Sequence, residues 1–173
     1  DLSQIVSGPF ATMLLSDQGA EVVKVEPVSG RDVTRREQFA RGGISAFFMN
    51  GNRGKRCLTV DLTREEGRKV VLDLAAEADV FVQNFRPGAC DRLGIGYEDI
   101  RAVSPDIVYV SISGFGPDGP DSDRPVLDPV IQGLTGMVAH QVNPEIPFPD
   151  LVRNIVCDKS TALTVAQATT AAL

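Results

Sequence analysis

Four short runs of β-branched and apolar residues, each separated from the next by a segment of helical character, do most to limit how this chain can fold. They are EVVKVE (residues 21–26), CLTVDL (57–62), DVFVQN (79–84) and DIVYVSIS (106–113). Compact runs of this composition predict strands. The last is almost continuously apolar, the pattern of a strand buried on both faces. A short helix is expected over 10–18, with Met13, Leu14 and Leu15 on its apolar side and Gly19 as its stop. Thr63 and Glu66 have the spacing of a capping box, opening a helix to about Ala76 with Val70, Val71 and Leu74 turned inward. Residues 97–103 read as a short helix ahead of Ser104-Pro105, 129–138 has helical character, and Ala and Leu content predicts helix from Thr161 onward. Strand and helix in alternation give an α/β chain, a parallel sheet with helices on both faces. The 173 residues suffice for one domain with a real core.

Composition narrows the function. Hydrophobic residues make up 43% and charged residues 23%, with no apolar stretch long enough to span a bilayer, so no membrane partner is expected. Cys57, Cys90 and Cys157 are an odd number at unrelated spacings. They fit neither a disulfide framework nor a zinc pattern, which points to a reducing, cytoplasmic compartment. His140 is the single histidine, so a multi-histidine metal site is excluded, and no metal is expected. The chain begins at Asp1 rather than Met and ends in TTAAL with no helix stop, so it is expected to be part of a longer polypeptide. The net charge of −6 argues against nucleic acid as a partner. Charge is unevenly spread, however. Between residues 31 and 56, Arg31, Arg35, Arg36, Arg41, Arg53, Lys55 and Arg56 face two acids, Asp32 and Glu37, a local net +5 that leaves −11 elsewhere. A basic field on an acidic chain suits a small polyanion, and equally a solvated basic loop.

Three segments carry possible ligand chemistry. GFGPDG (114–119) matches G-x-G-x-x-G after a strand, but Pro120 and the acids behind it replace the helix that a dinucleotide phosphate requires, so a flexible loop is the better reading. NGNRGKRC (50–57) joins exposed glycine backbone to three cations and could take phosphate, or be a solvated turn. NFRPGACDRLG (84–94) begins where a strand ends, the place where open α/β sheets bind ligands. Its Asn84 amide, Phe85 ring, Arg86 and Arg92 would suit a phosphorylated nucleotide, though a plain strand-to-helix connection has the same look. Asp158 stands alone in NIVCDKSTAL (154–163) ahead of helical sequence. Aspartate favours helix N-caps. At a helix N-terminus its carboxylate is held ionised, and an ionised, positioned carboxylate can also be a nucleophile.

These pieces, in order, resemble the class III (formyl-CoA transferase-like) CoA-transferase family, which includes carnitine and bile-acid CoA-transferases and 2-methylacyl-CoA racemases. The resemblance runs through SGPFATMLLSDQGAEVVKVEPVSGRDVTR, FFMNGNRGKRCLTVDL, VFVQNFRPGACDRLG, YVSISGFGPDGP, LDPVIQGLTGMV and CDKSTAL, nearly the whole chain. It implies a Rossmann-like parallel sheet with helices on both faces, the first part of the large, CoA-binding domain of an interlocked homodimer, over residues 1–173. The rest of that domain, a smaller domain and a glycine-rich active-site loop would follow downstream, and part of the first strand would precede Asp1.

The resemblance also implies roles. The catalytic aspartate falls on Asp158. Coenzyme A contacts fall on Val6 and Ser7, on the strand end from Val60 to Thr63, on Asn84, Phe85 and Arg86, and on Arg92 and Leu93. Val6 replaces a polar residue of formyl-CoA transferase, and Pro27 and Pro125 stand where that enzyme has basic residues. The implied reaction passes coenzyme A from an acyl-CoA to a carboxylic acid acceptor through an aspartyl-CoA thioester on Asp158. The racemase branch needs a histidine where this chain has Leu127, beside Asp128, so proton transfer at the α-carbon lacks one of its carriers. A non-catalytic CoA-binding module, with Asp158 as a cap only, is the remaining alternative.

Overall fold

The protein's structure, a computed structural model, describes residues 1–28, 32–36, 40–141, 143–146, 148 and 150–173. Arg31 and Glu37 of the basic window lie outside these. The elements are α1 (Ser7–Asp17), β1 (Val23–Pro27), a 3-10 turn (Val33–Arg36), α2 (Ala46–Asn52), β2 (Arg56–Val60), α3 (Glu65–Ala76), β3 (Val80–Gln83), α4 (Ala89–Arg92), α5 (Tyr97–Val103), β4 (Val108–Ser111), α6 (Asp128–Leu134), α7 (Met137–His140) and α8 (Val156–Ala172). All four expected strands form, as two parallel pairs, β1 with β2 and β3 with β4. The extended segment at residues 1–4 joins them. Leu2 N–H donates to the Val82 carbonyl on β3, and Val25 N–H on β1 donates to the Asp1 carbonyl. The ladder thus reads β2, β1, residues 1–4, β3, β4, a parallel α/β arrangement.

Successive residues of a strand face opposite ways. Leu2, Val25, Val60 and Phe81 join Val71 and Ala75 of α3, Ile100 of α5, and Cys90, Ile95 and Ile107 in one buried cluster. The alternate positions Lys24, Glu26 and Val82 are also buried, and Lys24 and Glu26 meet Asp32, Arg35 and the Phe48 ring on that face. β1 is therefore covered on both faces yet not apolar on both. Lys24 is fully buried, its amine 3.3 Å from the equally buried Asp32 carboxylate and donating to the Ser3 carbonyl at 2.8 Å. β2 departs further from the expected pattern. Arg56, Cys57 and Thr59 are exposed because this strand pairs on one side only, with β1.

Helix boundaries follow local chemistry. α1 ends as expected: Gly19 takes φ +105°, its N–H bonds the Ser16 carbonyl, and Ala20 N–H bonds the Leu15 carbonyl, the paired bonds of a Schellman stop. The capping box at Thr63 does not form. The Thr63 hydroxyl and N–H both turn back to Asp61, and Arg64 takes the N-cap position. Val71 and Ala75 face inward, whereas Val70 and Leu74 are largely exposed. Gly136, at φ +77°, splits the expected 129–138 helix into α6 and α7. α8 starts five residues before Thr161, which puts Asp158 inside the helix at its third position. The N-cap position belongs to Ile155, whose side chain makes no cap bond.

Candidate functional site

A cleft of about 690 Å³ opens at the carboxyl ends of β3 and β4, where a parallel sheet collects ligands. Its walls come from four places: the start of α1 (Ile5, Ser7), the residues after β3 (Asn84, Phe85, Arg86), the loop after β4 into α6 (Ile112, Gly114, Arg124, Asp128), and the first turn of α8 (Cys157, Asp158, Thr161). Gly114 is small because it must be: a Cβ there would collide with the Val126 side chain that closes over it. No helix follows it, so GFGPDG is a wall of this cleft and not a dinucleotide cradle.

The approach to Ser7 is built with care. Ile5 is, among the described residues, the one non-glycine with positive φ, +70°. A β-branched residue is strained there, and three side chains hold the backbone in place. The Asn84 amide both accepts from Gln4 N–H at 2.8 Å and donates to the Gln4 carbonyl at 2.7 Å. Asp32 accepts from Ile5 N–H at 3.3 Å, and Lys24 holds the Ser3 carbonyl. Asp32 is itself fixed by Thr34, through its N–H at 3.0 Å and its hydroxyl at 2.7 Å. The turn delivers the first residues of α1 to the cleft.

Asp158 lies half-buried at the centre of this arrangement. Its backbone N–H donates to Asp128 Oδ2 at 2.9 Å, so α8 is capped by a carboxylate thirty residues earlier in the chain. Burial, and then the charge of Asp128, push the Asp158 carboxyl above its ordinary range, while the nearby Ser7 side chain pulls the other way. This reverses the expectation that a cap position lowers it. The helix start is still present, but a half-buried site beside a second carboxylate outweighs it. The neighbouring Cys157 thiol is also pushed up, by burial and then by Asp128 and Asp158, which favours its protonated form.

Of the residues expected to contact a ligand, Ser7, Asn84, Phe85, Arg86 and Asp158 line the cleft. The others stand away from its lining. Val6 is buried as the N-cap of α1, Val60 belongs to the core, Thr63 is exposed beyond β2, and Arg92 and Leu93 end α4. A second cleft of about 510 Å³ shares Arg86 with the first and reaches Gly88, Cys90 and Asp91 beside α4. Among the described residues, no cation of the basic window lines either one. Arg35 forks onto Glu26 and stacks on the Phe48 ring at 3.8 Å, Arg53 pairs with Asp17, and Arg56 pairs with Glu21. Lys55, with its side chain fully buried, donates to Asp1, the Pro9 carbonyl and Asn52. Arg35 and Lys55 are thus built into the fold, whereas Arg53 and Arg56 make exposed surface pairs.

Sequence reasoning noticed Asp128 only as a neighbour of Leu127, and it overlooked Gln132, Lys24 and Asp32. Each left a trace. A lysine at the centre of EVVKVE demands a buried partner, and an aspartate before proline at the start of a helix, followed by glutamine one turn on, marks a fixed polar pair.

Comparison with known proteins agrees with this geometry. The sequence profile described as CoA-transferase family III matches residues 1–173. The chain belongs to CoA-transferase family III. It is 42% identical over 146 residues to the succinyl-CoA:glutarate CoA-transferase of Homo sapiens, covering 84% of this chain and 33% of that one. It is 38% identical over 147 residues to the acetyl-CoA:oxalate CoA-transferase of Acetobacter aceti, covering 85% and 38%. Among solved structures, a CaiB/BaiF family protein from Brucella suis superposes with a TM-score of 0.93 at 38% identity, covering 99% of this chain and 46% of that one. The chain thus spans from about a third to just under half of the length of these family III relatives.

Proposed function

We propose that the protein transfers coenzyme A from an acyl-CoA thioester to a carboxylic acid, with Asp158 as the nucleophile. The observation that carries this reading is the half-buried Asp158 carboxylate, raised in basicity, in a cleft at the strand ends of a CoA-transferase family III chain. An Asp158 oxygen attacks the acyl carbon, the C–S bond breaks, and the coenzyme A thiolate leaves a mixed anhydride. The thiolate then attacks the Asp158 carbonyl carbon and expels the donor acid as its carboxylate. The product is an aspartyl-CoA thioester. The acceptor carboxylate attacks that carbon, releases thiolate, and the thiolate takes the acceptor's acyl group, which regenerates Asp158. No net proton moves, so the cycle needs no general base. Splitting one exchange into such steps is the gain of covalent catalysis.

Arg86 borders both clefts and is assigned to the coenzyme A phosphates. Ser7 and Phe85 are assigned to the thioester end. Asn84 lines the cleft and also fixes the Gln4 backbone, and it is assigned to the coenzyme A contacts with them. The racemase alternative is disfavoured because Leu127, at 65% exposure, offers no proton carrier where that chemistry needs one. An interlocked homodimer is the expected assembly, on the family resemblance. The test is to incubate full-length protein with acyl-CoA and search by mass spectrometry for coenzyme A on Asp158. An unmodified Asp158 under turnover with an acceptor acid would refute the reading. Exchange of the α-proton in deuterated water without an acceptor would instead favour the racemase.

A further inference from the structure

Gln132 is 1% exposed and makes four hydrogen bonds inside the fold. Its Nε2 donates to Asp128 Oδ1 at 2.5 Å, one helical turn back on α6, and to the carbonyls of Val152 at 3.3 Å and Asn154 at 3.1 Å. Its Oε1 accepts from Val152 N–H at 2.8 Å. The amide therefore holds two things at once: the Asp128 carboxylate and the segment that leads into α8. Asp128 passes the constraint on, since its second oxygen takes the Asp158 N–H. From these contacts we propose that Gln132 is a positioning residue, which aims the Asp128 carboxylate at the first turn of α8 and so fixes the place and the basicity of the Asp158 carboxylate.

The chemistry supports a tuning role beyond scaffolding. With one Asp128 oxygen tied to Gln132 and the other to the Asp158 N–H, its carboxylate is held against the first turn of α8. A like charge held nearby disfavours ionisation and makes the carboxylate more basic. The other groups facing Asp158 in the cleft are Ser7 on α1, Cys157 on its own helix, Arg86 after β3, and Arg124 before α6. Arg124 is engaged by Asp121 at 2.9 Å. Asp128 is thus the fixed anion of the set, and Gln132 is what fixes it. The catalytic consequence rests on Asp158 being the nucleophile proposed above; the electrostatic one does not.

The experiment uses full-length protein with carboxyl-¹³C aspartate, and follows the Asp158 titration by NMR in wild type and in the variants Gln132→Met and Gln132→Glu. Methionine keeps the length and removes the donor, so Asp158 should titrate lower, by roughly one pH unit. Glutamate keeps an acceptor for Val152 N–H and adds an anion whose own charge should raise Asp158, so it serves as the positive control for the NMR readout. Activity should follow: in Gln132→Met the acid limb of kcat moves to lower pH and kcat falls about tenfold, with KM for acyl-CoA unchanged. A purely structural role would lower the stability of Gln132→Met and leave its Asp158 titration in place, and that result overturns the proposal. Should Gln132→Met fail to fold, Asp128→Asn decides: it removes the charge that Gln132 is proposed to aim, Asp158 should titrate lower, and a titration left in place overturns the proposal. The titration also separates the two claims, since it can be read even if no coenzyme A adduct ever forms on Asp158.

Discussion

Asp158 meets two opposing demands at one position. As a helix-start residue it is favoured when ionised; half-buried beside Asp128 it is favoured when protonated. The second wins, and the sign of the consequence can be worked out. A carboxyl whose folded pKa lies above its unfolded value near 3.8 adds stability below that value and loses it as pH rises through the folded one. At neutral pH, ionised Asp158 is therefore a burden on the fold. Asp158→Asn should raise the thermal midpoint at pH 7, with the gain fading as pH falls through the raised folded value and gone below the unfolded value near 3.8, measurable by calorimetry across pH. Asp158→Ala should abolish transfer and the covalent adduct while coenzyme A still binds. A cap role alone would predict a loss of about 1 kcal/mol in stability with turnover retained.

At the scale of elements, the site depends on contacts that have no chemical part in it. The left-handed turn at Ile5 stands because Asp32, Asn84 and Lys24 hold it, and Lys24 is reached from the middle of a strand. Asp32→Ala would leave Lys24 buried and unpaired, at a cost of about 3–5 kcal/mol, read as a lower midpoint in urea. Lys24→Met should cost less, since Asp32 keeps the N–H groups of Ile5 and Thr34. Gly67 tests the packing of α3 in the same way. A Cβ there would run into the Asp61 carbonyl oxygen, so Gly67→Ala should destabilise by about 1–3 kcal/mol despite alanine's better helix propensity.

For the molecule as a whole, the cleft and the surface around it are the relevant facts. Leu127, Leu134 and Leu163, on or beside the helices that frame Asp158, are all more than half exposed. The chain also spans less than half the length of its family III relatives. A mixed anhydride survives only if water is kept from it, and the family resemblance assigns that task to a glycine-rich loop outside these residues. The 173-residue polypeptide on its own is expected to show no transferase turnover, in an assay of acyl exchange between an acyl-CoA and an acceptor acid. Turnover by this polypeptide would show that the residues described here shield the intermediate unaided.

Much of this architecture could be read along the chain. The four strand runs, the glycine stop of α1 and the α/β class came from periodicity and from residues whose preference is local. The nucleophile candidate came from the order of the motifs. Other features were settled only when distant segments met. Thr63 had the right spacing for a capping box, yet its hydroxyl and N–H bonded Asp61 two residues back instead. Lys55 looked like a phosphate cation and was buried under α1. The cap of α8 came from Asp128, thirty residues away, and its aim from Gln132. Sequence by itself determined which residue types were available and how the elements alternate, since those depend on short-range sterics and hydrophobic period. Only the tertiary structure decided the raised basicity and the setting of Asp158, because burial and a neighbouring charge act through space and leave no spacing to read.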